Sequence, residues 1–146
     1  MSDRFKSLTL VTLQFLFIIL LFGGSRLKEI SVFDGAFIII AILLILWATI
    51  SMQRSKIRIL PEPAANATLI SHGPYRFVRH PMYLAILLGC TGLLINHFTL
   101  LRLFYLILLA TVLIIKLNWE EKMLSGKFEK YKEYKKHTSR LIPPFY

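Results

Sequence analysis

Read from the N-terminus, the chain is a succession of apolar runs separated by polar, mostly basic joints. Four runs stand out: Leu8 to Phe22, extendable to Gly24; Phe33 to Met52, interrupted early by Asp34; Met82 to Ile95; and Phe98 to Leu117, with Arg102 near its start. A helix crosses a bilayer with about 20 predominantly apolar residues, within a range of about 17 to 25. The second and fourth runs meet that length, the first lies at its lower edge, and the third is short even if it begins in the polar stretch before it. The third and fourth are joined by only "NH", which predicts a tight antiparallel hairpin. Beyond the fourth run, Trp119, Met123, Leu124, Phe128 and Tyr131 recur at helical spacing with lysines between them. That pattern predicts an amphipathic helix lying on the membrane or capping the bundle. "RLIPPFY" then reads as a proline-stiffened tail. The predicted fold is all-α: a polytopic membrane protein with about four transmembrane helices, a helical hairpin next to a cytoplasmic pocket, and a C-terminal amphipathic helix.

Composition agrees with a lipid environment. Of 146 residues, 55% are hydrophobic, and the mean hydropathy is +0.60. A soluble domain this short has too little interior to hide so much apolar surface. The net charge of +10 would suit nucleic acid or anionic lipid; with this hydrophobicity it points to a membrane surface and not to nucleic acid. The charges are also sorted. Fifteen of the 18 Lys and Arg residues lie before the first run, between the second and third, or from Lys116 onward. The positive-inside rule then places both termini and the middle connection in the cytoplasm, a parity that four spans satisfy. The first run also has the basic start, apolar stretch and small-residue exit of a signal peptide; cleavage there would leave three spans and put the basic segments on the wrong side. Two parts follow: residues 1–52 with two N-terminal spans, and residues 53–146 with a cytoplasmic connection, the hairpin and the C-terminal helix. The prolines of "PEPAANATLI" argue against a helix at the start of that connection. Cys90 is the single cysteine, inside an apolar run, where packing is the ordinary role. His72, His80, His97 and His137 have no metal-ligand spacing.

Polar chemistry is concentrated in "SHGPYRFVRHPMYLAILLG", residues 71 to 89. Gly73-Pro74 makes a turn. His80 stands at the N-cap of the third helix, with Pro81 at its first position. The first-turn N–H groups then form a positive end that suits anionic groups. Arg and Tyr also anchor helices at membrane interfaces, yet an anchor needs neither the turn nor a histidine between an arginine and a proline. The second cluster is "KLNWEEK", residues 116 to 122. Lys116 and Glu120 share a helix face. Carboxylates are disfavoured at a helix C-terminus, so Glu120 and Glu121 are either neutralised by lysines or held for a ligand. The hairpin brings this cluster beside "RHPMY", which predicts one pocket at the inner leaflet.

"GPYRFVRHPMYLA", followed about 40 residues on by "EE", then "FEKYKEYKK" and "RLIP", resembles the isoprenylcysteine carboxyl methyltransferases, integral membrane enzymes. The likeness covers roughly residues 53 to 146. It implies methyl transfer from S-adenosylmethionine, bound in a cytoplasmic-side cofactor pocket. The contacts it implies for that cofactor are Thr68, Leu69, Ile70, Tyr75, His80, Pro81, Met82, Tyr83 and Glu120. Lys116 stands where the family often has an arginine near a substrate carboxylate; it keeps the charge and loses the bidentate fork. Ala85 replaces a common glycine, and "KFEKY" lacks the glycine usual after the phenylalanine.

The residue types suit that cofactor. Tyr75, Tyr83 and Trp119 offer aromatic faces to a sulfonium. Arg79 or His80 suits a carboxylate, and Glu120 an ammonium or ribose hydroxyls. The expected acceptor is an amphiphilic carboxylate or hydroxyl, isoprenoid-, lipid- or prenylcysteine-like, with Arg79 and Lys116 positioning it. A carboxylate is already ionised at neutral pH and needs no general base. Two alternatives stay open. One is N-methylation of a phospholipid headgroup amine, for which a base such as Glu121 or His80 should matter. The other is a non-enzymatic membrane protein whose basic face binds anionic lipid or a partner.

Overall fold

A computed structural model of the chain describes residues 3–53, 69–143 and 146. The regular elements among these residues are helical: α1 (Asp3–Gly23), α2 (Val32–Met52), α3 (Pro81–Asn96), α4 (Leu100–Lys127) and the short α5 (Tyr131–Lys136), with 3-10 turns at Leu27–Glu29 and Gly73–Arg76. Hydrocarbon offers no partner to a backbone N–H or C=O, so an apolar run of this length satisfies itself by forming a helix. Three helices are long and apolar enough to cross a membrane: α1 from Phe5, α2 and α4. The 16-residue α3 is shorter, about 24 Å at 1.5 Å per residue. The chain is a membrane protein of three to four spanning helices.

Helix starts follow from local chemistry. Ser31 accepts the Asp34 N–H at the start of α2, and Thr99 accepts the Arg102 N–H at 3.2 Å at the start of α4. Both are favoured N-cap types. In the bundle α3 packs chiefly on α2, and α4 chiefly on α1. Small residues permit the close approach of α2 and α3. Ala41, Ala48 and Ala85 are buried, and a Cβ on Gly92 would lie 2.9 Å from the Asp34 carbonyl oxygen. The innermost cluster joins Leu21, Tyr83, Cys90, Leu109, Leu113 and Leu117. Apolar side chains such as Ile19, Leu43 and Ile107 point outward, as they should where lipid is the solvent.

The end of the bundle holding the α1–α2 and α3–α4 connections, here called the outer end, is closed by two polar knots. The Arg102 guanidinium donates to the carbonyls of Leu21 and, at 2.5 Å, His97, and to Ser25 Oγ at 2.7 Å. It thereby neutralises the carbonyl ends of α1 and α3, where cations are favoured. Asn96 Nδ2 donates to Asp34 at 2.8 Å, and its Oδ1 accepts the Arg26 N–H at 2.7 Å. The polar interruption at Asp34 is thus a 1%-exposed tie between α2 and α3.

Two features differ from the sequence expectation. The amphipathic stretch is divided: α4 runs through Lys127, Phe128 is extended (φ −115°, ψ 112°), and helix resumes only at Tyr131. Its apolar positions continue the phase of α4, so the spanning helix simply carries on past the membrane edge. "RLIPPFY" is also more than a tail. Ser139 and Arg140 run alongside residues 77–80 in a short parallel pairing: Arg79 N–H to Ser139 O at 2.8 Å, His80 N–H to Arg140 O at 3.1 Å and Ser139 N–H to Phe77 O at 3.1 Å. Leu141 is buried beside it.

Candidate functional site

The opposite end, here called the inner end, gathers the two sequence clusters. Gly73 opens the approach with φ +62°, a left-handed conformation that favours glycine. A Cβ there would run into Ser51 Oγ, and Trp47 Nε1 is 3.4 Å away. The turn therefore sits directly on the end of α2. The chain then passes through Tyr75 to Arg79, His80 and Pro81, where α3 begins.

Glu121 is the electrostatic centre of this end. Its carboxylate, 3% exposed, takes Arg79 Nε at 2.6 Å, Arg140 at 3.3 Å and Lys135 at 3.4 Å, with His80 Nε2 at 3.7 Å. Arg79 also donates to the carbonyls of Thr138 and, at 3.2 Å, Lys135. Arg79 thus binds the motif to the C-terminal segment. Of the two carboxylates, Glu121 is the neutralised one. The set of contacts on Glu120 is shorter and differently made: it accepts the Tyr83 hydroxyl, and its second oxygen lies 3.6 Å from His80 Nδ1.

His80 completes the pair. As N-cap it makes no side-chain capping bond. Its ring instead stacks on Tyr83, with centroids 5.4 Å apart and planes 5° from parallel. The Tyr83 and Leu84 N–H groups turn back to the His80 carbonyl at 3.1 and 3.2 Å. With Pro81 lacking a donor, little of the expected first-turn amide cluster remains beyond Met82. Tyr75 lies within electrostatic reach: burial, helped by the Glu120 carboxylate, pushes its phenol up to about 12. It is a neutral group at physiological pH. Its carbonyl accepts the Tyr134 hydroxyl at 2.5 Å, tying α5 to the same turn.

The sequence-predicted residues separate accordingly. His80, Tyr83 and Glu120 are in mutual contact, with Tyr75 close by. Pro81 is buried at the helix start, Met82 half-buried beside it, and Ile70 4% exposed. Leu69 opens into a groove of about 520 Å³ shared with Ser71, Arg76 and Tyr134, rather than onto Glu120. Thr68 lies outside the described residues. Lys116 lies within electrostatic reach of Glu120 but forms no direct ion pair with it: its ammonium donates to Gln14 Oε1 at 3.0 Å and stands 5.0 Å over the Tyr83 ring. With His80 and Lys116 both engaging Tyr83, Tyr75 and the half-buried Trp119 are the aromatic faces left for a cation. Sequence reasoning missed Gln14, whose signal was a lone amide within an apolar run. It also missed the part played by Lys135 and Arg140, for which a basic run gives no specific signal.

A helical membrane bundle with a buried histidine, tyrosine and carboxylate at one end of a hairpin has the make-up of a membrane methyltransferase. Residues 30–131 match the phospholipid methyltransferase family. The chain belongs to that family, which is related to the isoprenylcysteine carboxyl methyltransferases. No curated protein and no solved structure matches the chain.

Members of such families typically use S-adenosylmethionine. The inner end fits that group chemically. The buried Nε2 of His80 and hydroxyl of Tyr131 make no hydrogen bond among the described residues. Such atoms are costly unless something meets them. The Glu120 carboxylate and the Tyr75 ring stand near them to match an ammonium and a sulfonium. Among the described residues no cluster of metal-ligating side chains occurs.

Proposed function

We propose that the chain transfers a methyl group from S-adenosylmethionine to the head of an amphiphilic acceptor at the inner leaflet, with both termini in the cytoplasm. The supporting observation is that Glu121 is locked by cations while Glu120, one residue away, contacts only Tyr83 and His80. Glu120, which has no lysine or arginine within ion-pair distance among the described residues, is the carboxylate left to meet the charge of a ligand. When bound, the cofactor supplies an electrophilic methyl on a sulfonium. Glu120 holds its ammonium or ribose hydroxyls, His80 Nε2 reaches its polar groups, and Tyr75 and Trp119 face its cation. Residues 53–146 form the methyltransferase core, and the first two helices wall it from lipid. The contribution to rate is orientation in a site from which water is excluded.

An oxygen acceptor that is already ionised requires nothing more. The family's description favours a second reading, methylation of a phospholipid headgroup amine. A neutral amine would then be needed, and the base would be the His80–Glu120 pair rather than the neutralised Glu121. A rate that climbs with pH belongs to the amine reading, and a flat profile to the carboxylate.

Titration calorimetry with S-adenosylhomocysteine tests the site. Replacing His80 or Glu120 by Ala should weaken binding about ten- to a hundred-fold, the loss of one charge-assisted hydrogen bond. Wild-type affinity in both folded variants would remove these residues from the cofactor site. Radiolabelled methyl incorporation into extracted lipids and prenylated peptides then identifies the acceptor class. Protease access to a C-terminal tag only from the outer face of oriented vesicles would overturn the orientation.

A further inference from the structure

The family match begins at residue 30, so α1 lies outside it. Even so, α1 sends an amide into the bundle next to the site. Gln14 is 7% exposed and Lys116 is 4% exposed, and the two meet at 3.0 Å across the α1–α4 contact. The geometry follows from helix direction. Side chains lean toward the N-terminus of their own helix. On α4 that direction runs from Lys116 toward Arg102, into the bundle and away from the inner end. The ammonium therefore hangs toward the membrane interior, over Tyr83, instead of reaching Glu120 one turn further on. Along α4, Lys116 is about 21 Å from Arg102, well within the roughly 30 Å of a hydrocarbon core.

The charge balance here is unusual. Arg102 is surrounded by carbonyls at two helix ends, and Arg79 has Glu121. Lys116 has an amide and the face of a phenol. Among the described residues no carboxylate pairs with it directly; Glu120 acts on it only through its field. An intramembrane cation of this kind is costly when unneutralised and marks a path for a ligand.

We propose that Gln14 is a positioning residue that holds the Lys116 ammonium as an oxyanion receptor inside the membrane, for the carboxylate or phosphate of an amphiphilic ligand. The inference rests on reading the inner end as the methyl-transfer site, because Tyr83 joins the receptor to Glu120. Gln14 acts on the ligand through Lys116. It sets how deep the anionic group sits, and so which amphiphiles place their reacting atom at the right level.

The experiment uses the full chain in nanodiscs, with three 12-carbon probes: laurate, dodecyl phosphate and dodecanol. Binding of each is measured alongside binding of S-adenosylhomocysteine. The anions should bind about tenfold more tightly than dodecanol, the worth of one charged hydrogen bond. Gln14→Leu should reduce that preference several-fold and leave dodecanol and S-adenosylhomocysteine affinities unchanged. Gln14→Glu should abolish it, since a carboxylate at this position fills the receptor itself. Lys116→Arg should retain it. A preference for laurate over dodecyl phosphate, or the reverse, identifies the source of the oxyanion. Equal binding of all three probes by the wild type overturns the proposal, as does an undiminished preference in Gln14→Leu, which keeps the test decisive if Gln14→Glu fails to fold. Failure of the wild type to bind S-adenosylhomocysteine, with the anion preference intact, would instead defeat the methyltransferase reading and leave the receptor standing.

Discussion

The two ends of the bundle are built from similar residues and solve different problems. At the outer end, Arg102, Asn96, Asp34, Ser25 and Ser31 answer one another, and Arg102 Nε is the atom of this knot buried without a hydrogen bond among the described residues. At the inner end Glu121 is surrounded by the cations Arg79, Arg140 and Lys135, although its Oε2, like His80 Nε2 and the Tyr131 hydroxyl, is buried without a hydrogen bond among the described residues. Burying polar groups in a low dielectric raises the stakes of leaving them unpaired. A knot whose groups mostly bond one another therefore reads as fastening, and one that leaves an imidazole and a phenol unmet beside a carboxylate as a place prepared for something else. The contrast reaches down to adjacent residues, since Glu121 belongs to the fastening and Glu120 to the prepared place.

Substitutions can break that contrast. The largest effect is expected for Glu121→Ala, which leaves Arg79, Lys135 and Arg140 facing each other without their anion. Breaking a buried ion pair by removing one partner costs about 3–5 kcal/mol. Thermal unfolding in detergent should show a large fall in Tm, together with loss of S-adenosylhomocysteine binding. If Glu121→Ala is as stable as the wild type, the division of labour between the two glutamates is wrong. Arg102→Leu should cost about 1.5–3 kcal/mol by leaving the carbonyls of Leu21 and His97 unanswered. That loss should appear in Tm alone, with cofactor affinity unchanged once the protein is folded; a change in affinity would couple the two ends. The smallest stability effect is expected for Gly73→Ala, about 1–2 kcal/mol for a side chain in the left-handed region. Because the turn rests on Ser51, this change should shift Tyr75 and His80 and weaken S-adenosylhomocysteine binding more than Tm implies. Proportionate losses would make Gly73 a matter of stability only.

The helices and the meeting of "RHPMY" with "EE" were legible because lipid imposes a simple rule. An apolar run must be helical, and two runs joined by "NH" must return beside each other. The outer knots were half visible, as an aspartate and an arginine placed awkwardly in apolar runs. The Gln14–Lys116 contact was not read, because it depends on which faces of α1 and α4 meet, and apolar residues cover most faces of both. The pairing of 139–140 with 77–80 left no periodic trace, being only a few residues long and about 60 residues apart in sequence. The extension of α4 to Lys127 was hidden for the opposite reason: the helical rhythm does not change where the membrane stops.

That short pairing has a bearing on how the protein is made. Segments 77–80 and 139–141 flank the whole hairpin, so they can meet only after α3 and α4 have been threaded into the bilayer and turned back. Contacts that span so much chain form late. Until they do, Glu121 lacks the cation supplied by Arg140, and the inner end is a loose collection of charges at the lipid surface. Insertion and completion are thus separate events in the life of this chain. A cell that surveys its membranes for unfinished proteins would find the distinguishing mark at this one end of the bundle, after every helix is already in place.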